Sequence, residues 1–207
     1  MYIRYRSVSL PMREPEVTKE KILESAGVLF NTQGYKATSL SDITVATGLT
    51  KGAIYRHFGS KDELENRSLQ YLSGRLMEKV RSVIKGQPSA GLKLRGIFSF
   101  FSSYTTNPPI AGGCPLLNAA IESDDTDPEL KKGALAILNN LRDSLIHILE
   151  KGKQYGQIKS DIDSDYYATI IIAALEGAIM MSKLRDDNTD IEKVISHLDK
   201  LVSQIEV

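Results

Sequence analysis

Beyond residue 64, apolar residues recur at intervals of three and four, the spacing of helices that bury one face. Leu69, Leu72, Leu76, Val80 and Val83 mark one long helix that Gly86, Gln87 and Pro88 end. Gly74 lies inside it at a cost of about 1 kcal/mol against alanine; it is read as a close-packing point, with easier bending as the alternative. From Gly91 to Tyr104 the pattern predicts an aromatic helix carrying Ile97, Phe98, Phe100, Phe101 and Tyr104. Pro108, Pro109, Gly112 and Gly113 then force an irregular loop before a short helix. Asp127 followed by Pro128 opens another helix by the cap-then-proline rule, with Leu130, Ala134, Ile137, Leu138, Leu141, Leu145, Ile148 and Leu149 as its apolar face. Residues 166–184 and 190–205 form two last helices, read as apolar beyond one narrow stripe. Such faces suit an isologous four-helix interface between two copies of the chain.

Before residue 64 the pattern tightens. Ser39 and Asp42 form a capping box that starts a helix near Leu40, where a hydroxyl and a carboxylate satisfy the first free amides. Leu40, Ile43 and Ala46 keep its helical spacing, and Gly48 supplies the left-handed backbone that stops it. Thr50 caps a second helix, KGAIYRHF, whose Ile54 and Phe58 face inward as i,i+4 neighbours. Ser60 and Glu63 repeat the capping box and launch the third. Two short helices, a tight turn and a capped third helix are the layout of a DNA-reading helix-turn-helix. The second helix of such a pair lies in the major groove, where its first turns reach base edges and flanking polar groups grip phosphates. Thr38, Ser39, Ser41, Thr50, Lys51, Gly52, Ala53, Tyr55, Arg56, His57 and Lys61 are the candidate DNA-binding residues. Lys51 suits guanine acceptors, Gly52 and Ala53 permit close backbone approach, and Tyr55, His57 and Lys61 suit phosphate oxygens.

These residues carry a resemblance. The run GLTKGAIYRHFGSKDEL, within Thr38 to Leu64, is similar to the DNA-binding signature of the TetR family of bacterial one-component regulators. The helix before it, with Ile22, Ala26, Leu29, Phe30, Gly34 and Tyr35, is similar as well. The resemblance spans roughly residues 18–66, and the GGCPLLNAA segment resembles one version of the family's C-terminal domain. It implies an all-α homodimer that binds operator DNA through the N-terminal domain and a small-molecule effector through the C-terminal one, usually as a repressor released by ligand. On that reading residues 1–15 are an N-terminal extension, 16–64 the helix-turn-helix domain and 65–207 the ligand-binding and dimerisation domain. A two-fold dimer would set its reading helices about 34 Å apart on a palindromic double-stranded site. The alternative is an effector-independent repressor whose C-terminal domain only dimerises.

Charge adds a direction. The 207 residues have no net charge, yet residues 1–75 hold 11 Lys and Arg against 8 Asp and Glu, leaving 15 against 18 beyond. That modest asymmetry points nucleic acid towards the N-terminal part. MYIRYRSVSLPMREP carries Arg4, Arg6 and Arg13 without a helical period or a secretory apolar core. It reads as a flexible basic arm or as a tail upstream of a true start at Met12.

For the effector, Phe98, Phe101, Tyr104, Cys114, Asn118, Glu122, Tyr155 and Glu176 are the candidate ligand-binding residues, aromatics facing a small-residue loop with few polar groups nearby. Cys114, the one cysteine, excludes an intramolecular disulfide, fits a reducing cytoplasm, and is read as structural rather than as a sensor. The run Asp161, Asp163, Asp165 imitates a calcium loop and fails, with Tyr166 and Ile172 where glycine and glutamate are required; Asp165 reads as a helix cap. His57, His147 and His197 lie on different helices, and no nucleophile elbow, phosphate loop or metal spacing is present, so neither an enzyme nor a cofactor or metal is expected. Glu176 interrupts the longest apolar run, so no membrane span is expected.

Overall fold

The structure, a computed structural model, describes residues 15–102, 104 and 106–207. The proposed basic arm and the Met12 start lie outside the described residues. These fold into nine α-helices: α1 (Pro15–Gln33), α2 (Leu40–Thr47), α3 (Lys51–Tyr55), α4 (Lys61–Ile84), α5 (Ala90–Ser102), α6 (Pro115–Ser123), α7 (Pro128–Gln154), α8 (Ser164–Arg185) and α9 (Thr189–Ile205). The all-α expectation holds.

Local chemistry sets the boundaries of the N-terminal helices. Ser39 Oγ accepts from the Asp42 amide at 3.2 Å while Asp42 accepts from the Ser39 amide at 2.7 Å, closing the capping box. The Ser39 hydroxyl, donating to Asp42 Oδ2 at 2.7 Å, and then the Ser39 amide hold the Asp42 carboxyl below its ordinary range. Gly48 takes the left-handed conformation, φ 67°, that ends α2. Thr50 caps α3 through the Ala53 amide. At α4 the second box is displaced by one residue: Ser60 accepts from the Glu63 amide, but Glu63 accepts from the Gly59 amide at 2.8 Å. The second helix is also shorter than its sequence pattern, ending at Tyr55, although Ile54 and Phe58 are both buried as expected.

Ile22, Ala26, Phe30, Ile43, Ile54, Phe58, Leu64 and Leu69 make a buried apolar core under this unit. Gly27 lets α1 cross α4 closely, since a Cβ there would lie 2.9 Å from Leu72 Cγ. The same cluster continues into the C-terminal helices through Tyr104, Cys114, Leu116, Ala119, Leu130, Ala178 and Ile191. A second cluster lies at the far end, joining α5, α7, α8 and α9 through Phe98, Leu149, Ile171, Leu198 and Val202.

Three sequence readings need correction. Gly74 is not a packing point, because a Cβ there would meet nothing within 4 Å. Asp163, not Asp165, caps α8, accepting from the Asp165 and Tyr166 amides; Asp165 sits in the first turn and pairs with Arg142. Among the described residues α8 is also long and apolar enough to cross a membrane by length and composition. Its Ala168, Ile171, Leu175, Ala178 and Ile179 are nevertheless buried against the protein's own helices.

Candidate nucleic-acid interface and cavity

The N-terminal unit presents α3 to solvent. Ile54 and Phe58 anchor it from below, so Lys51, Gly52, Tyr55 and Arg56 are left on the exposed side, with Ala53 and His57 partly covered. The Lys51 and Tyr55 side chains make no hydrogen bond or ion pair with the described residues, and Tyr55 keeps 48 % of its surface exposed. An aromatic hydroxyl and an ammonium left unsatisfied on a rigid, capped helix are ready donors for phosphate or base edges. Ser39, Ser41 and Thr50 border them and are exposed.

Two predicted contacts point elsewhere. Thr38 is fully buried, its hydroxyl donating to the Gly34 carbonyl at 2.7 Å. Lys61 is committed within the fold, donating to the Tyr35 carbonyl at 2.9 Å and pairing with Glu65 at 3.1 Å. Both residues shape the unit that carries α3 rather than its outer face.

Behind this unit a cavity of about 820 Å³ opens between α4 and α7, with walls from α5, α6 and α8. Leu116, Leu145, Ile171, Leu175 and Ile179 form its apolar inner wall; Glu78, Arg81, Asn140, Asp143 and His147 surround its mouth. Of the predicted ligand residues it gathers Phe101, Cys114 and Glu176. The other five lie elsewhere. Phe98 is buried in the far cluster, and Tyr104 is buried outside the lining. Tyr155 ends α7 with 72 % of its surface exposed. Asn118 and Glu122 leave α6 on another side, towards α1. Sequence reasoning missed Ser73, Met77, Ile97, Leu141 and Ile171. Ile97 and Phe101 are i,i+4 neighbours, as are Ser73 and Met77, so helical spacing carried a signal for both pairs.

The polar groups at the inner wall are few. Cys114 Sγ donates to Glu176 Oε1 at 3.0 Å, while Glu176 Oε2 and Ser73 Oγ are buried without hydrogen-bond partners. Burial raises the Glu176 carboxyl above its ordinary range. Burial, reinforced by Glu176, pushes the Cys114 thiol well up, so it stays protonated and a poor nucleophile.

Asn118 and Glu122 bind the cavity wall to the reading unit. Asn118 Nδ2 donates to Asn31 Oδ1 at 2.9 Å and to the Gly112 carbonyl at 3.1 Å. Asn31 Nδ2 in turn donates to the carbonyls of Ala111 and Gly113. Glu122 Oε2 accepts from the Tyr35 amide at 2.8 Å, where the chain leaves α1. Gly112 is required here: its φ is 92°, and a Cβ would lie 2.3 Å from the Asn31 carbonyl oxygen.

Residues 22–66 match the family described as bacterial regulatory proteins, tetR family, and residues 91–198 match the tetracyclin repressor-like C-terminal domain. The chain belongs to the TetR family. Its members are non-enzymatic DNA-binding transcriptional regulators. A TetR transcriptional regulator from Chloroflexus aurantiacus is 36 % identical with a TM-score of 0.88, over 94 % of this chain and 98 % of that one. The TetR-family regulator of Cytophaga hutchinsonii is 31 % identical with a TM-score of 0.87, over 96 % and 99 %. Among curated proteins, the uncharacterized HTH-type transcriptional regulator YezE of Bacillus subtilis (strain 168) is 28 % identical over 94 % of this chain and 96 % of its own. The TetR-family helix-turn-helix therefore corresponds to α1–α3 with the start of α4, and the TetR-family C-terminal domain to α5–α8 and most of α9, of which α5–α8 line the cavity together with α4.

Proposed function

We propose that this TetR-family regulator is a cytoplasmic, dimeric repressor that a small molecule releases from a palindromic operator. The observation that carries the DNA step is the outer face of α3, where Lys51 and Tyr55 stand exposed and unpaired on a helix fixed by the Thr50 cap and the Ile54 and Phe58 core. Lys51, Gly52, Ala53 and Tyr55 face the bases and nearby phosphates; Ser39, Ser41, Thr50, Arg56 and His57 flank them.

The exposed side of α8 supports dimerisation. Tyr166, Ala173, Gly177, Met180, Met181 and Leu184 recur at helical spacing on its exposed side. A stripe of large apolar residues interrupted by Ala173 and Gly177 allows two α8 helices to approach closely. The contribution of α9 is narrower than its sequence implies. Ile191, Leu198, Val202 and Ile205 pack inside their own protomer, whereas Glu192, Lys193, Ser196, His197 and Lys200 face outward.

The cavity favours effector control over a domain that only dimerises. Cys114, Pro115 and Leu116 line it at the start of α6, and Asn118 and Glu122 on the same helix hold the end of α1. A ligand that displaces the first turn of α6 thus moves the seat of the reading unit, alongside the α4 wall that runs directly into it. The coupling expected of such devices is about 1–3 kcal/mol.

A gel-shift titration of the full-length protein tests this reading, comparing DNA upstream of its own gene with random duplex of equal length at fixed salt. Preference for the upstream DNA by at least about a thousandfold is expected. Tyr55→Ala and Lys51→Ala should each cost about 1–3 kcal/mol of operator affinity. Equal affinity for both duplexes overturns it.

A further inference from the structure

The cavity has an apolar body and, on its inner wall, a single acid, Glu176, whose Oε2 is buried. Its inner wall is Leu116, Ile171, Leu175 and Ile179, and it carries no lysine, arginine or histidine; Arg81 and His147 stand at the mouth, balanced by Glu78 and Asp143. Glu176 has one oxygen held only by the thiol of Cys114, a weak donor, and the other held by nothing among the described residues. A carboxyl group in such surroundings is costly to ionise unless a cation accompanies it. The rise of this carboxyl above its ordinary range has the same cause. Ser73, on the α4 wall, adds a buried hydroxyl without a partner.

Taking the cavity as the effector site, we propose that its occupant is an apolar amine, positively charged at neutral pH, whose ammonium pairs with Glu176 while its hydrocarbon body fills the space between α4 and α7. The ammonium has donors for the free Glu176 oxygen and supplies the missing charge, and Ser73 offers a further acceptor. A neutral alcohol satisfies a hydrogen bond but leaves the acid without a counter-charge. A carboxylate or phosphate brings a negative charge into this wall, with no inner-wall cation to offset it and none to let Glu176 ionise. The volume of about 820 Å³ falls within the range of small-molecule sites, so hydrocarbon bulk supplies affinity and Glu176 supplies selectivity.

Decylamine, decanol and decanoate share one chain and differ in head-group charge. Each is titrated by calorimetry into the full-length protein below its micelle-forming concentration. Decylamine should bind at least about tenfold more tightly than the other two, the scale of one charge-assisted hydrogen bond. Glu176→Gln should bring it down to the level of decanol, with decanol changing by less than about threefold; retained decanol binding reports an intact cavity in that variant. Gly74→Trp places a large ring where an added Cβ meets open space at the mouth, and should weaken all three. Decanol or decanoate binding as tightly as decylamine, or an amine preference that survives Glu176→Gln, overturns the amine while leaving the effector cavity in place. No binding by any of the three, or binding indifferent to Gly74→Trp, overturns both.

Discussion

The two halves of this molecule treat their polar and apolar groups in opposite ways. In the reading unit α2, α3 and α4 each start at a side-chain cap, Ser39, Thr50 and Ser60, and the core from Ile22 to Phe58 is buried. Lys51 and Tyr55, without partners among the described residues, lie outside on α3, and the Ser68 hydroxyl is the buried exception on α4. In the C-terminal half the unsatisfied groups lie inside: Glu176 Oε2 and Ser73 Oγ, beside a cavity of about 820 Å³. An apolar stripe on α8 is also left facing solvent. Rigid presentation of donors requires the first arrangement, since a loosely held helix would lose entropy on docking. The second arrangement suits the proposed reception of a ligand and of a second copy, in which burial is completed by something other than the chain itself.

Substitutions should separate the halves. The largest effect is expected for Phe58→Ala, which empties the packed floor of α3 and should cost about 3–5 kcal/mol in chemical denaturation; a cost below about 1 kcal/mol would mean that the reading unit is not densely built. Next, Gly177→Glu puts a charge on the α8 stripe, where an added Cβ meets no neighbour in the monomer. Helicity should be retained while dimer dissociation rises by about a hundredfold or more in analytical ultracentrifugation, the expected penalty for like charges across a two-fold contact. An unchanged dimer would place the interface elsewhere. Ser39→Ala removes one arm of the capping box and should cost about 1 kcal/mol by the same denaturation assay. Met77→Ala at the cavity wall should cost less than that, because its side chain borders empty space on one side and has fewer contacts to lose. Equal losses at Met77 and Phe58 would erase the contrast.

The same contrast explains what was legible in the sequence. Caps and stops act over three or four residues, so Ser39 with Asp42, Gly48, Thr50 and Asp127 with Pro128 could be read directly, and with them the reading unit and the helix count near it. The cavity is assembled from five helices whose lining residues run from Gln70 to Ile179, and its lining depends on which way each helix is turned. Phe98 and Phe101 illustrate this: both are aromatic and three residues apart, yet Phe98 enters the far core and Phe101 the cavity. Asn118 and Glu122 stand out in the sequence as polar groups, but their partners at the end of α1, the Asn31 side chain and carbonyl and the Tyr35 amide, lie 87 residues earlier. Gly74 and Asp165 were misread for a related reason, since a glycine or an aspartate has a role only relative to what stands opposite it. The α8 stripe was visible as apolarity, but only the fold separates the positions spent on the protomer's own core from those left over.

Docking of the exposed α3 face on duplex DNA in paired copies can be read from footprinting of the full-length protein on the DNA upstream of its gene. Two protected half-sites related by a dyad and about one helical turn apart are expected, both lost together in Tyr55→Ala at concentrations where the variant remains folded and dimeric. A single unpaired footprint, or a pair that persists unchanged in Tyr55→Ala and Lys51→Ala, would contradict it.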